Sequence, residues 1–490
     1  MHTARSVVKN TSFLLLGRVV SIGLGFVYFA ALARYIHAAG LGKIAIAMSL
    51  VSLLTLLVNF GLSQVIIRDV ASDKAKARLY VSNSLFLRGA FSIVFVFTLI
   101  IITRIANYPS DTILIIYIYA IAYIFDNITD LTFSIFNAFE KMEYITAIET
   151  GRDIINIVLS LGAIYLHTSL IVIVLISALA NLFKLAVSWF VLRWKFTKPS
   201  FHLDTQLCRR LLITALPFAA LVVLNSISGR INTVILSFYR AEAEVGWFSA
   251  ANIPIGYLLF LPAVFLQAIF PVFARFHSSS KTSLQLAYRS SFKYLLLLGV
   301  PLCIGTLITS DQIISLIYGQ GFGNAALSLR ILALPLFWMF SYANGGLLNA
   351  TGGQKLSATL AGIGASINVF LALWLIPSHG YIGASVATVV PGIIFFVPLT
   401  LICHRRVEIG VPYALAAKIL ISALCLGIAT FYALKVHVNL FITVFLIAPI
   451  IYVLCLLALR AIGRQDIDLL VSLVKGRGRS IPDVKIPARG

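Results

Sequence analysis

Three basic side chains, Arg18, Lys184 and Arg230, stand deep inside long apolar runs of this chain, and two carboxylates, Asp126 and Asp130, share another such run. A cation at the centre of a membrane helix costs roughly 2.5–3.5 kcal/mol on insertion scales, so one that is kept faces protein or a water-filled cavity rather than lipid. Arginine retains its proton and grips phosphate oxygens in a fork. Arg18 and Arg230, with Lys184 and with Arg152 at the mouth of the fifth run, are therefore candidates to hold an anionic passenger such as a phosphate or pyrophosphate head group. Arg88, Lys293, Arg330 and Lys418 lie within one or two turns of a run's end, where a cationic head can snorkel to the interface. Arg88 is retained as a further cavity candidate.

Asp126 and Asp130 are spaced i, i+4, which puts both on one helix face. Two readings stay open. Asp130 has the depth of Arg18 and could form a purely structural ion pair with it, or Asp126 or Asp130 could exchange a proton or sodium ion during transport. Asn225, Asn252, Gln267 and Asn344 could bind sugar hydroxyls, although each alone also fits an interhelical hydrogen bond. The five cysteines and eight histidines show no metal-ligand spacing, so no metal or organic cofactor is expected.

Positioning these groups requires a membrane scaffold. The 490 residues are 60% hydrophobic and 11% charged, with mean hydropathy +0.99, against about 25% charged in soluble domains. Fourteen runs long enough to cross roughly 30 Å of hydrocarbon are predicted, at about 10–34, 42–62, 83–103, 112–138, 152–167, 170–193, 210–238, 246–273, 291–309, 326–349, 356–376, 381–404, 412–434 and 440–460. The first run is too long for a cleaved signal and lacks a small-residue cleavage site. Net charge +21 does not indicate nucleic acid, because of where the charges fall. Of 38 Lys and Arg, 26 lie on the side of the N-terminus, 5 on the other side and 7 within spans. That bias puts both termini in the cytoplasm of a multi-pass protein of the cell membrane, with anionic lipid heads as the partner of the excess charge. Loops on the external side are very short. Among the cytoplasmic ones, Arg68–Arg78 has the charge pattern of a surface helix.

An internal repeat appears at a shift of 204 residues, with Tyr35, Leu41, Gly42, Ala45 and Ala47 falling on Tyr239, Val245, Gly246, Ser249 and Ala251. The shift covers six spans, an even number, so both copies keep one orientation, as in two-lobed transporters with an axis along the membrane normal. The expected fold is thus an all-α membrane protein: an N-lobe at 1–200, a C-lobe at 205–407, a helix pair at 408–462 and a basic cytoplasmic tail at 463–490. Prolines within spans concentrate in the second lobe, and Pro217 is the best hinge candidate.

Four segments carry a resemblance: LARYIHAAGLGKIAIAMSL (Leu32–Leu50), RINTVILSFYRAEAEVGWFSAANI (Arg230–Ile253), IISLIYGQGFGNAALSLRIL (Ile313–Leu332) and INVFLALWLIPSHGYIGASVATVV (Ile367–Val390). In order and spacing they resemble the polysaccharide transporter family of the multidrug/oligosaccharidyl-lipid/polysaccharide superfamily, the O-antigen or repeat-unit flippases. The resemblance implies two six-helix bundles, an extra helix pair and a central cationic cavity for a polyprenyl-pyrophosphate-linked glycan. Arg18 falls where related flippases often place a cavity arginine. Many members carry an Asp shortly after the arginine of the second segment, where this chain has Asn232, which moves the expected coupling site to Asp126 and Asp130.

The expected function is a lipid-linked oligosaccharide flippase working by alternating access, coupled to a proton or sodium gradient. A peptidoglycan-precursor flippase and a multidrug/cation antiporter are near neighbours, although drug exporters of the superfamily generally have twelve spans. A glycan polymerase, ligase or glycosyltransferase would need a sizeable extramembrane catalytic segment, and no loop offers one, so no enzymatic activity is expected. A glycan polymerase and glycosyltransferases are expected as partners rather than as activities of this chain.

Overall fold

The computed structural model describes the backbone of residues 2–199, 203–409 and 412–463, and the side chains within them other than those of 2–22, 24, 57 and 217–228. The chain is a succession of helices, with no strand among the described residues. In order they are α1 (His2–Leu54), α2 (Leu56–Asn59), α3 (Leu62–Ser72), α4 (Ala77–Ile105), α5 (Ser110–Ala138), α6 (Met142–Tyr165), α7 (Leu170–Val191) and α8 (Thr205–Tyr239). There follow α9 (Glu242–Ser279), α10 (Lys281–Tyr318), α11 (Ala325–Phe337), α12 (Ser341–Ala350), α13 (Gln354–Val407), α14 (Tyr413–Lys435), α15 (Leu440–Ile442) and α16 (Ala448–Ala458). Among the described residues, nine helical stretches are long and apolar enough to cross a membrane, or ten when the pair α11–α12, bent by 46°, counts as one.

Two helices exceed any single crossing. The 53 residues of α1 and the 54 of α13 would each extend about 80 Å at the helical rise, more than twice the hydrocarbon thickness. Each is broken once by a left-handed residue, His37 (φ 58°) in α1 and Gly380 (φ 54°) in α13. Short turns elsewhere use the same device without glycine. His167 (φ 52°) ends α6, with Thr168 N–H donating to Ala163 O at 3.0 Å and His167 N–H to Ile164 O at 3.0 Å. This is the double-bonded helix stop in which one αL residue satisfies the last free carbonyls. Glu140 and His437 close α5 and α14 in the same way.

The surface helix expected at Arg68–Arg78 is instead divided among the end of α3, a short turn and the start of α4. α3 buries Leu62, Val65, Ile66 and Val70, spaced 3, 1 and 4 residues apart, and turns Arg68 to solvent. That amphipathic stripe packs on Leu131, Ile135 and Phe136 of α5 and Leu211 of α8. The helix stops at Asp73, whose carboxylate accepts from Ala75 N–H at 3.1 Å and starts a short 3-10 turn, Lys74–Lys76. Asp73 competes with the helix for backbone donors, so the charge pattern continues where the helix does not.

The chain divides into two compact units. The first comprises Met1–Phe260, Ser310–Leu332 and Gln354–Phe395, and the second Leu261–Thr309, Ala333–Gly353 and Phe396–Gly490. Within the second, Gly299 packs against the backbone carbonyl of Leu336, a position no side chain could share. Phe292, Phe340 and Phe396 build an aromatic core beside it. The thiols of Cys425 on α14 and Cys455 on α16 meet in this unit, although the sequence positions gave no sign of a pair.

Candidate functional site

Four helices of the first unit enclose a cavity of about 420 Å³, within the range of small-molecule pockets. Each wall presents a stripe one helix face wide. α5 supplies Tyr119, Tyr123 and Asp126; α6 supplies Glu149, Arg152 and Asn156; α7 supplies Ser177, Asn181 and Lys184. Every set is spaced by threes and fours, the period that returns a helix to the same side. α1 closes the cavity with Tyr28 and Phe29 and with the apolar Leu32, Ile44 and Met48.

The lining is charged but internally paired. Lys184 Nζ donates to Asp126 Oδ1 and lies 3.3 Å from Glu149 Oε1. Its side chain is only 6% exposed, whereas both carboxylates are 43% exposed to the cavity and its mouth. Arg152 donates through Nε to Asn181 Oδ1 at 2.9 Å and through Nη1 to Asp153 Oδ1 at 2.9 Å. Ser177 Oγ donates to Asn156 Oδ1 at 3.0 Å. Lys184 is thus a buried cation held by two half-exposed anions, and the Asn181 amide and the Asp153 carboxylate fix the guanidinium of Arg152.

Three expectations change here. Glu149 falls between the predicted runs 112–138 and 152–167, because Glu143, Glu149 and Arg152 dilute the hydropathy of that stretch; α6 in fact starts at Met142 and carries Glu149 into the cavity wall. Asp126 and Asp130 therefore do not stand alone as carboxylates within helices. Nor does their shared helix face give them one environment. Offset by about 40° around the axis and 6 Å along it, Asp126 meets Lys184, while Asp130 Oδ2 accepts from Arg88 Nη2 at 3.1 Å, Asn59 Nδ2 at 3.2 Å and Ser63 Oγ. Arg88 does not snorkel. It is 1% exposed and donates further to the Asn127 carbonyl and, at 2.7 Å, to Ser63 Oγ. The reason is the start of α4 at Ala77, six residues before the predicted span, which carries Arg88 inward over α5.

The other candidates separate. Arg230 on α8 is exposed, lies within electrostatic reach of Tyr123, and has no ion-pair partner among the described residues. Asn252 on α9 is half-buried in the first unit and Gln267 is exposed in the second; neither lines the cavity. Asn344 is fully buried in the second unit, accepting from Tyr288 Oη at 2.7 Å and donating to Thr400 Oγ1 at 2.9 Å, so its amide is spent on interhelical bonds. Asn232 donates to Thr388 Oγ1 at 2.7 Å. The side chains of Arg18, Asn225 and Pro217 lie outside the described residues. Tyr28, Tyr119, Asn156, Ser177 and Asn181 were missed, though the 3-4 spacing of polar and aromatic residues on consecutive runs carried a signal for them.

The family profile described as polysaccharide biosynthesis protein matches residues 7–277. The chain is 22% identical over 391 residues to the capsular polysaccharide biosynthesis protein CapF of Staphylococcus aureus, covering 77% of this chain and 94% of that one. It is 24% identical over 403 residues to a probable low-salt glycan biosynthesis flippase of Haloferax volcanii, covering 79% and 80%. Among solved structures, its fold is similar to the lipid II flippase MurJ in an inward closed conformation, with TM-score 0.73, 17% identity, and 93% and 99% of the two chains covered. The inward-facing conformation of a multidrug resistance MATE family transporter of the MOP superfamily aligns with TM-score 0.56 and 18% identity over 79% of this chain and 93% of that one. With more than half of its length matched, this chain belongs to the polysaccharide biosynthesis protein family.

Proposed function

We propose that the protein is a flippase that carries a polyprenyl-pyrophosphate-linked polysaccharide repeat unit across the cell membrane by alternating access. The observation that carries this reading is the paired-charge cavity among α1, α5, α6 and α7, lined by tyrosines and side-chain amides. Tyrosine faces and amides suit sugar rings and hydroxyls, while Arg152 and Lys184 suit phosphate. Membership of the family and the relatives in capsule and glycan biosynthesis support the substrate class.

The pairing supports a coupling rule. When a pyrophosphate takes Lys184 or Arg152, the carboxylates of Asp126 and Glu149 lose their cation. Two carboxylates left facing each other without the cation they share repel, which favours neutralising one of them, so the vacated pair takes up a proton or sodium ion. Anion arrival and cation uptake then occur together, and anion release expels the cation. Arg18 and Arg230 add permanent positive charge along the route of the phosphates. Asp130, tied to Arg88, holds α2 to α5 together and stays outside this exchange.

Fourteen crossings with both termini in the cytoplasm fit the helices when α1 and α13 each count as two at His37 and Gly380, and α11–α12 and α15–α16 each as one. The two six-helix lobes, the hinge at Pro217 and cooperation with a glycan polymerase or glycosyltransferases belong to the same proposal.

The test is translocation of a polyprenyl-pyrophosphate oligosaccharide in proteoliposomes. Arg18→Ala and Lys184→Met are each expected to lose translocation with membrane insertion intact. Full activity of both would refute the site. A second reading, a multidrug/cation antiporter, draws on the half-exposed oxygens of Asp126 and Glu149, which could receive an organic cation. Cation efflux by the same vesicles, without glycan-lipid transfer, would favour it.

A further inference from the structure

The repeat read from the sequence returns in the structure as a reciprocal contact. α9 begins at Glu242, and the second segment of α1 begins at Ala38, directly after the break at His37. These two starts are related by the same shift of 204 residues that relates Gly42 to Gly246. A Cβ added at Gly42 would collide with the carbonyl oxygen of Glu242, and one at Gly246 with the carbonyl oxygen of Ala38. Each copy's glycine thus receives the other copy's first residue. This is the self-complementary contact that a twofold axis generates, with i touching j and j touching i. The helices cross with backbone on backbone because only glycine leaves room.

The charges around this crossing do not follow the symmetry. Where the second copy has Glu242, the first has Ala38, and where the first has Lys43, the second has Trp247. Lys43 Nζ pairs with Asp111 and lies 3.5 Å from Glu242 Oε2, while Thr112 Oγ1 donates to Glu242 Oε1. Lys43 and Glu242 are 18% and 19% exposed, and Asp111 is 47% exposed. Beneath them Tyr108 Oη donates to Ser237 Oγ at 2.6 Å, since the Ser237 hydroxyl is given to Val234 O. Arg34 Nε donates to Ile317 O at 2.8 Å. Each of these cross-links joins residues of the first copy to residues of the second, at one end of the helices.

We infer that Lys43, with Asp111, Thr112 and Glu242, is a one-sided charge latch that holds the external ends of the two repeats closed over the glycine crossing. The inference rests on the proposed alternating-access reading for which end is external, but not on the passenger. The glycines supply a contact that can part without rearranging side chains. The latch supplies a specific and breakable attraction across it, of the kind that biases two-state closure. Because only one of the two symmetry-related positions is charged, removal of Lys43 removes the whole of the ionic cross-link.

The test uses the full chain in cells and in proteoliposomes, with its five native cysteines replaced and a reporter thiol introduced by Ser237→Cys. The rate of modification by a membrane-impermeant maleimide is measured from each side. Lys43→Ala and Glu242→Gln are expected to raise labelling from the external side at least fivefold, and Lys43→Arg to leave it near the parent rate. Thermal unfolding in detergent, unchanged within a few degrees, separates gate opening from misfolding. Should Lys43→Ala unfold the protein, Glu242→Gln alone decides, since it keeps the side-chain shape. Equal labelling in the parent and in Glu242→Gln would overturn the latch. Increased labelling from the cytoplasmic side only would overturn the external assignment and, with it, the orientation on which the transport reading depends. Loss of glycan-lipid transfer in the parent would leave the labelling result standing.

Discussion

One helical turn separates Asp126 from Asp130 on α5, yet the first shares a lysine with Glu149 in a cavity while the second is tied to an arginine, a serine and an asparagine. The cations differ as well. Lys184 is a flexible point charge with two competing anions, and Arg88 is a planar fork held by a carboxylate, a hydroxyl and a backbone carbonyl at once. A guanidinium held in three directions by fixed partners defines geometry. One cation between two half-exposed carboxylates can exchange partners. Around Asp130 the side chains tie helices together, whereas around Asp126 they share one cation, the arrangement that the proposed transport cycle uses.

The sharpest way to break this comparison is to remove each cation. Arg88→Ala removes a fully buried side chain that ties Asp130, Ser63 and the Asn127 carbonyl together and leaves a cavity in its place, and is expected to destabilise by about 2–5 kcal/mol, seen as a large fall in detergent melting temperature and in folded yield. Arg88→Lys should recover only part of it, because a point charge cannot serve three directions. Lys184→Met is expected to reduce translocation to the protein-free background while costing only about 1–2 kcal/mol of stability, since water reaches the two carboxylates it leaves behind. The reverse outcome, with Lys184→Met unfolded and Arg88→Ala folded but inactive, would exchange the two roles. Pairing Asp126→Asn with Lys184→Met should return melting toward the parent value without restoring transport, a non-additivity expected only for side chains in direct contact.

A third region sets the scale for smaller effects. Asp69, at the end of α3 and outside the spans, is partly desolvated, which alone would raise its carboxyl. Hydrogen bonds from Arg68 Nε at 2.8 Å and Tyr80 Oη at 3.0 Å instead hold it below the ordinary carboxylate value. A carboxylate with depressed folded pKa stabilises fully above its unfolded value, and the contribution is lost as pH falls through the folded one. Tyr80→Phe should therefore lower melting slightly at neutral pH and shrink the additional loss on acidification. An unchanged acid profile would mean that Asp69 titrates freely.

Much of this was legible in the sequence, for identifiable reasons. Hydropathy reports bulk transfer into lipid, so the helical membrane class was plain, as was the depth of Lys184 and Asp126. The repeat was visible as five matched positions, and the structure gives one of them, Gly42 with Gly246, its reason, since glycine at a backbone crossing leaves room for no side chain. Helix starts were not legible. Charged first turns look like loop, which hid Glu149 in α6 and misplaced Arg88 toward the interface. The breaks were equally silent, since His37, Glu140 and His167 take the left-handed conformation that sequence reasoning assigns to glycine. Partner choice was beyond reach, because a spacing fixes a face and says nothing about which neighbouring helix meets it.

The most direct test of the central claim is a proteoliposome assay that follows a fluorescent polyprenyl-pyrophosphate oligosaccharide from one leaflet to the other as the cation gradient is varied. The account predicts protein-dependent transfer by the parent and, per folded molecule, by Asp130→Asn, whose loss of the Arg88 partner shows as lower stability instead. It predicts no transfer by Lys184→Met, and transfer that loses its dependence on the gradient when Asp126→Asn and Glu149→Gln are combined. Gradient-dependent transfer at the parental rate by Lys184→Met would contradict it.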